Sequence, residues 1–298
     1  MYVERIPDIG ETLLAKGYEE HPGGKGANQA VSAALWDQPV RFLGRIGSDE
    51  PGKILRSAME KAGVNTDYLL EGSTPSGMAL DFIDIEGNYQ AGVLAGSNAD
   101  LDGGDLPMEN DLWESIGLTA LQLECPLSFN EAVGLESKKY GIPVLLNAAP
   151  VQTIPDTWWN WVEFLVVNEV EAESLSGVKI QGLQEAYYCL EKLRERLDQV
   201  LITLGAEGLV YGKGSERAHI PGHAVPVVST LGAGDAFVGV LAAELCRGHD
   251  LHDSALIANF AAAASVAKTG AQNSYITPDE LKCHPLLGNL YNKEYLGG

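Results

Sequence analysis

Phe164-Leu165-Val166-Val167-Asn168-Glu169-Val170-Glu171-Ala172-Glu173-Ser174-Leu175-Ser176-Gly177 is the stretch that decides the fold. An unbroken apolar run with two β-branched residues suits a strand buried on both faces. The polar and acidic residues after it fall just past the strand's carboxyl end, where acidic residues commonly open a helix. Strand leading directly into helix is half of a βα unit, and the pattern recurs outward. Upstream lie VRFLGRIG then PGKILRSAMEKAG, and LTALQLE then FNEAVGLESKKYG and PVLLNAAP; downstream lie LQEAYYCLEKLRERL and QVLITLGAEG. Strands alternating with helices predict an α/β fold, a doubly wound, mostly parallel sheet flanked by helices. Residues 1–22 and about 76–96 break the rhythm: they alternate apolar with polar, the second around the turn Glu86-Gly87-Asn88. They are expected to form a small antiparallel β-strand lid with one solvated face. No linker or internal repeat divides the chain, so residues 1–298 read as a single domain.

Composition narrows the partners. The 298 residues are 45% hydrophobic and 20% charged, an ordinary globular balance. A formal net charge of −21 repels a phosphate backbone, which argues against nucleic acid. A small anion remains compatible where backbone amides or a metal ion override that field locally. The longest mostly apolar stretch, Leu256 to Ala267, is too short to span a bilayer, and the N-terminus carries no apolar leader core, so cytoplasm is the expected compartment. Four widely spaced cysteines, Cys125, Cys189, Cys246 and Cys283, are expected to be buried structural thiols.

Three constellations could carry chemistry. In Pro22-Gly23-Gly24-Lys25-Gly26-Ala27-Asn28-Gln29-Ala30 the glycines permit close backbone approach to a ligand, and the following AVSAAL points a helix start at the same place. The spacing is wrong for a P-loop, and a plain helix-entry turn is the alternative. In Ser229-Thr230-Leu231-Gly232-Ala233-Gly234-Asp235-Ala236-Phe237, small residues expose several N–H donors at the positive end of an apolar helix, a setting for a phosphoryl group. Asp235 could there accept a proton from an attacking hydroxyl, or merely complement the helix dipole. Asn168-Glu169-Val170-Glu171 sits just past a strand's carboxyl end, as do Glu124, Asn147 and Thr203-Leu204-Gly205-Ala206-Glu207-Gly208, and ligands of open α/β sheets bind at that edge. No HExxH spacing or nucleophile elbow occurs.

Together Gly23 to Ala30, Asn168 to Glu171 and Gly232 to Phe237, with Gly44-Arg45-Ile46-Gly47, Leu123-Glu124, Asn147 to Pro150 and Gly270-Ala271-Gln272, resemble the ribokinase-like (PfkB) sugar kinases over nearly the whole chain. The resemblance implies transfer of the ATP γ-phosphate to the primary hydroxyl of a pentose, ribose before 2-deoxyribose, another sugar or a nucleoside. A sugar- and nucleotide-binding protein without turnover is the competing reading. Carried over by position, Asp235 would be the base, with Gly232, Ala233 and Gly234 as the anion hole. Gly24, Lys25, Gly26, Asn28 and Glu124 would line the sugar. Asn168, Thr203, Leu204, Gly205, Ala206, Glu207, Gly208, Gly234 and Asn259 would lie along the nucleotide, with Glu171 organising magnesium. Family potassium sites map onto Ser229, Leu231, Ser265, Lys268, Gly270 and Ser274, where Ser229 replaces the usual Asp and so weakens the expected site. A homodimer through the lid strands is expected. The family also has a core strand ending in Asn-x-Asp, and Met1 aligns just beyond it. A gap in the parallel sheet is therefore expected, with an in-frame upstream strand as its simplest explanation.

Overall fold

The structure is a computed structural model and describes residues 1–85 and 89–295. Its strands are β1 (Gly44–Gly47), β2 (Leu69–Gly72), β3 (Met78–Ile83), β4 (Tyr89–Leu94), β5 (Thr119–Leu121), β6 (Val144–Asn147), β7 (Val162–Asn168), β8 (Gln199–Thr203), β9 (Leu209–Lys213) and β10 (Glu216–Ile220). Its helices are α1 (Lys25–Leu35), α2 (Glu50–Lys61), α3 (Asn110–Glu114), α4 (Leu127–Lys139), α5 (Glu169–Ser176), α6 (Leu183–Arg194), α7 (Ala233–Cys246), α8 (Leu251–Ser265), α9 (Pro278–Lys282) and α10 (Gly288–Glu294). The main sheet runs in the order β10-β9-β8-β7-β6-β5. Pairing is parallel from β5 to β8 and antiparallel at β9 and β10.

The unbroken apolar runs are explained by helices on both faces. Successive strand residues point to opposite sides: Leu145, Phe164, Val166, Leu201, Leu209 and Tyr211 pack with residues of α7 and α8. Leu146, Leu165, Val167, Val200, Ile202 and Val210 pack with α4 and α6 on the other side. The predicted architecture is the observed one.

The parallel part of the fold is divided. Among the described residues β1 pairs only with β2, and β5 only with β6, so an edge of each strand is left without a strand partner there. Gly44, Arg45 and Ile46 on one side and Thr119, Ala120 and Leu121 on the other line a single cleft of about 2560 Å³. Small-molecule sites usually occupy roughly 300–1,000 Å³, so this cleft has room for more than one such ligand.

β3 and β4 form an antiparallel hairpin; the expected turn Glu86-Gly87-Asn88 lies outside the described residues. The N-terminal segment falls short of the strands expected for residues 1–22. It contributes a parallel bridge from Tyr2 to Ile83 and an antiparallel one from Tyr2 to Gly17. Pro7 and Gly10 interrupt any longer ladder. The four cysteines are free, but they depart from the expected burial: Cys189 is buried, Cys125 is half-buried, and Cys246 and Cys283, at the C-terminal ends of α7 and α9, are exposed.

Candidate active site

The cleft lies at the carboxyl ends of the central strands. Glu124, Asn147, Asn168 and Thr203 all line it there, and α1 and α7 bring their N-termini to the same place. Gly24 caps α1 at φ 89 and Gly232 caps α7 at φ 78, a left-handed conformation that glycine enters without steric cost.

Asp235, in the first turn of α7, is 7% exposed. Its Oδ2 accepts from Asn28 Nδ2 at 2.9 Å and its Oδ1 from Gln29 Nε2 at 3.1 Å. Those amides are themselves held. Gln272 Nε2 donates to Asn28 Oδ1 at 3.1 Å, Gln122 Nε2 donates to Gln29 Oε1 at 2.6 Å, and Gln29 Nε2 also donates to Asn147 Oδ1 at 3.0 Å. The carboxylate is thus fixed by two neighbours whose orientations are fixed by three more. Burial pushes its affinity for a proton above the usual aspartate range, while the Lys25 charge and the two amides hold it down. A buried carboxyl adjusted this way is a competent base.

Two further carboxyls complete the charge pattern. Glu124 Oε2 accepts from the Lys25 backbone N–H at 2.7 Å, pinning the glycine loop, and burial raises its proton affinity. Glu171 Oε2 accepts from Asn168 N at 2.9 Å while Asn168 Oδ1 accepts from Glu171 N at 3.0 Å, a reciprocal cap on α5. Burial likewise raises Glu171, and the Lys25 charge lowers all three carboxyls. One lysine therefore acts on Glu124 beyond β5, Glu171 of α5 and Asp235 of α7.

The cleft gathers Gly24, Lys25, Gly26, Asn28, Glu124, Asn168, Glu171, Thr203, Gly232, Gly234 and Asp235. Other candidates stand apart. Leu204 buries its side chain in the core, leaving only its main chain for a ligand. Ala206 and Glu207 border a smaller hollow with Pro221 and Gly222, and Asn259 Nδ2 donates to Pro221 O at 2.8 Å beside it. A Cβ on Gly208 would stand 2.0 Å from Ile220 O, so this glycine serves the close approach of two chain segments.

Sequence reasoning passed over Gln29 and Gln122. The signal for Gln29 was available: with Asn28 it is polar within a helix whose neighbours Ala27, Ala30, Val31 and Ala33 are buried. Gln122, one residue past β5, carried no such mark.

Of the cation candidates, Ser229, Leu231 and Gly270 line the cleft, and the six residues include no carboxylate, so a cation there would rest on hydroxyl oxygens and main-chain carbonyls. For magnesium, Glu171 fits: its carboxylate lines the cleft, and this ion commonly keeps its waters while held by one carboxylate and substrate phosphates.

Residues 1–278 match the family described as pfkB family carbohydrate kinase. The chain belongs to this family. Members of the pfkB family similar to it include a ribokinase of Haemophilus influenzae, 34% identical over 276 residues that cover 91% of this chain and 89% of the relative. A deoxyribokinase of Salmonella typhi is 32% identical over 277 residues, covering 92% and 90%. Among solved pfkB-type structures, Arabidopsis thaliana ribokinase complexed with ribose and ATP superposes with a TM-score of 0.83 at 31% identity, covering 93% of this chain and 92% of that one.

Proposed function

We propose that this carbohydrate kinase transfers the γ-phosphoryl group of ATP to the primary hydroxyl of D-ribose, giving ribose 5-phosphate and ADP. The observation that carries the reading is the buried Asp235 carboxylate at the N-terminus of α7, held by Asn28 and Gln29. The sugar occupies the side of the cleft bounded by Gly24, Lys25, Gly26, Asn28 and Glu124. The nucleotide lies toward Asn168 and Thr203, with the hollow by Asn259 beyond. Asp235 takes the proton as the hydroxyl oxygen bonds to the γ-phosphorus, and the bond to the bridging β–γ oxygen breaks, its electrons leaving with ADP. The amides of Gly232 and Gly234 and the α7 dipole meet the charge on the transferred group, whereas the third expected donor, Ala233 N–H, is given to Thr230 O at 3.3 Å. Magnesium, when bound with the nucleotide, neutralises phosphate charge, and Glu171 is the residue that would hold it.

We further propose that turnover does not require potassium, because Ser229 leaves the candidate cation residues without a carboxylate ligand. Two assembly features belong to the same reading. The cleft between the open edges of β1 and β5 seats one further extended strand, and two copies pair through the β3–β4 hairpin. A coupled ADP-release assay with ribose, with 2-deoxyribose and without sugar, in potassium and in sodium buffers, tests the reaction. Ribose-dependent release of similar rate in both buffers is expected; release without dependence on any sugar contradicts the reading.

A further inference from the structure

Tyr275 follows the 3₁₀ turn Gln272–Ser274 and is only 6% exposed. Its ring belongs to the apolar cluster formed by Ala27, Ala30 and Val31 of α1 and Ala236 of α7. The hydroxyl is different: it is buried and has no hydrogen-bond partner. Its place is informative. The oxygen stands 2.9 Å from where a Cβ on Gly232 would be, so it reaches the N-cap of α7 because residue 232 has no side chain. Gly232 itself lines the cleft. Burial, and then the Asp235 charge, push the phenol well above the ordinary tyrosine range, so it stays protonated and remains a donor.

Folded proteins pair nearly all buried hydroxyls, because an unmet one loses its hydration for nothing. An orphan donor at the positive end of a 14-residue helix, beside a cleft, is one whose acceptor arrives with the ligand. We propose that Tyr275 Oη donates a hydrogen bond to an oxygen of the phosphoryl group in transfer, adding a side-chain donor to the amides of Gly232 and Gly234. The inference rests on the kinase reading above and adds a residue to it. The phenol keeps its proton throughout; it contributes charge stabilisation that grows as the phosphoryl group parts from ADP.

Tyr275→Phe removes the hydroxyl and keeps the ring. The expected result is a kcat about 10²-fold lower with KM for ribose unchanged. Affinity for ADP plus aluminium fluoride, a phosphoryl mimic, measured by calorimetry with ribose present, falls with it, while affinity for ADP alone does not. The melting temperature is expected to hold or rise, since an unpartnered buried group is gone. Wild-type kcat and mimic affinity in the variant would overturn the proposal, as would a lowered melting temperature with ADP and mimic affinities reduced alike. A parent chain that neither turns over nor binds the mimic overturns the kinase reading and this proposal together. A parent that binds the mimic through Tyr275 without turnover overturns the reading alone.

Discussion

At the scale of single residues, the site depends on opposing influences on Asp235. Burial raises its proton affinity and Lys25 lowers it. A catalytic base works only when ionised, so activity falls as pH drops through its folded-state value, which lies above that of an ordinary aspartate. Lys25→Met removes the opposing charge and is expected to move the acid limb of the kcat profile to higher pH; a limb that stays or moves down contradicts the account. The linkage to stability has a definite sign. A carboxyl with a raised folded-state value favours folding at acid pH and loses that contribution as pH rises through it. At neutral pH the charged Asp235 therefore opposes folding, offset in part by its two amide donors.

Among the elements, the helices and the main sheet were legible because periodicity reports burial: runs such as Phe164 to Val167 had to be covered on both faces. The lid was less legible. The stretch at 76–96 forms β3 and β4, but residues 1–22 offer only isolated bridges, because Pro7 and Gly10 interrupt pairing. The polar network was partly legible: Asp235 and Asn28 stood in motifs, whereas Gln122 enters through a long-range contact that no local pattern records. The open edges of β1 and β5 yield the prediction at this scale. Backbone hydrogen bonds contribute about 0.5–1.5 kcal/mol each. A chain extended ahead of Met1 by one β-strand that seats between those edges is expected to melt on the order of 10 °C higher. An unchanged melting temperature with the extension freely digested by protease would contradict a seat there.

For the whole molecule, charge and apolar surface set the assembly. The excess of acid keeps copies apart at long range, so association needs a local apolar patch. The hairpin supplies one: Met78 and Leu94 are register partners, Leu80 shares their face, and the three are 46%, 62% and 55% exposed. Light scattering is expected to give twice the chain mass of 31.8 kDa for the parent and the single mass for Leu80→Lys. A parent mass of one chain at all concentrations would contradict pairing through the lid. Among the described residues no helix is long and apolar enough to cross a membrane.

The most direct measurement is ribose-dependent ADP release by the parent chain beside Asp235→Asn. The account predicts a loss of about 10²–10⁴-fold in kcat on removing the base, with a melting temperature at neutral pH no lower than the parent's. A variant that keeps the parent's turnover would contradict the assignment of Asp235 as the base for phosphoryl transfer.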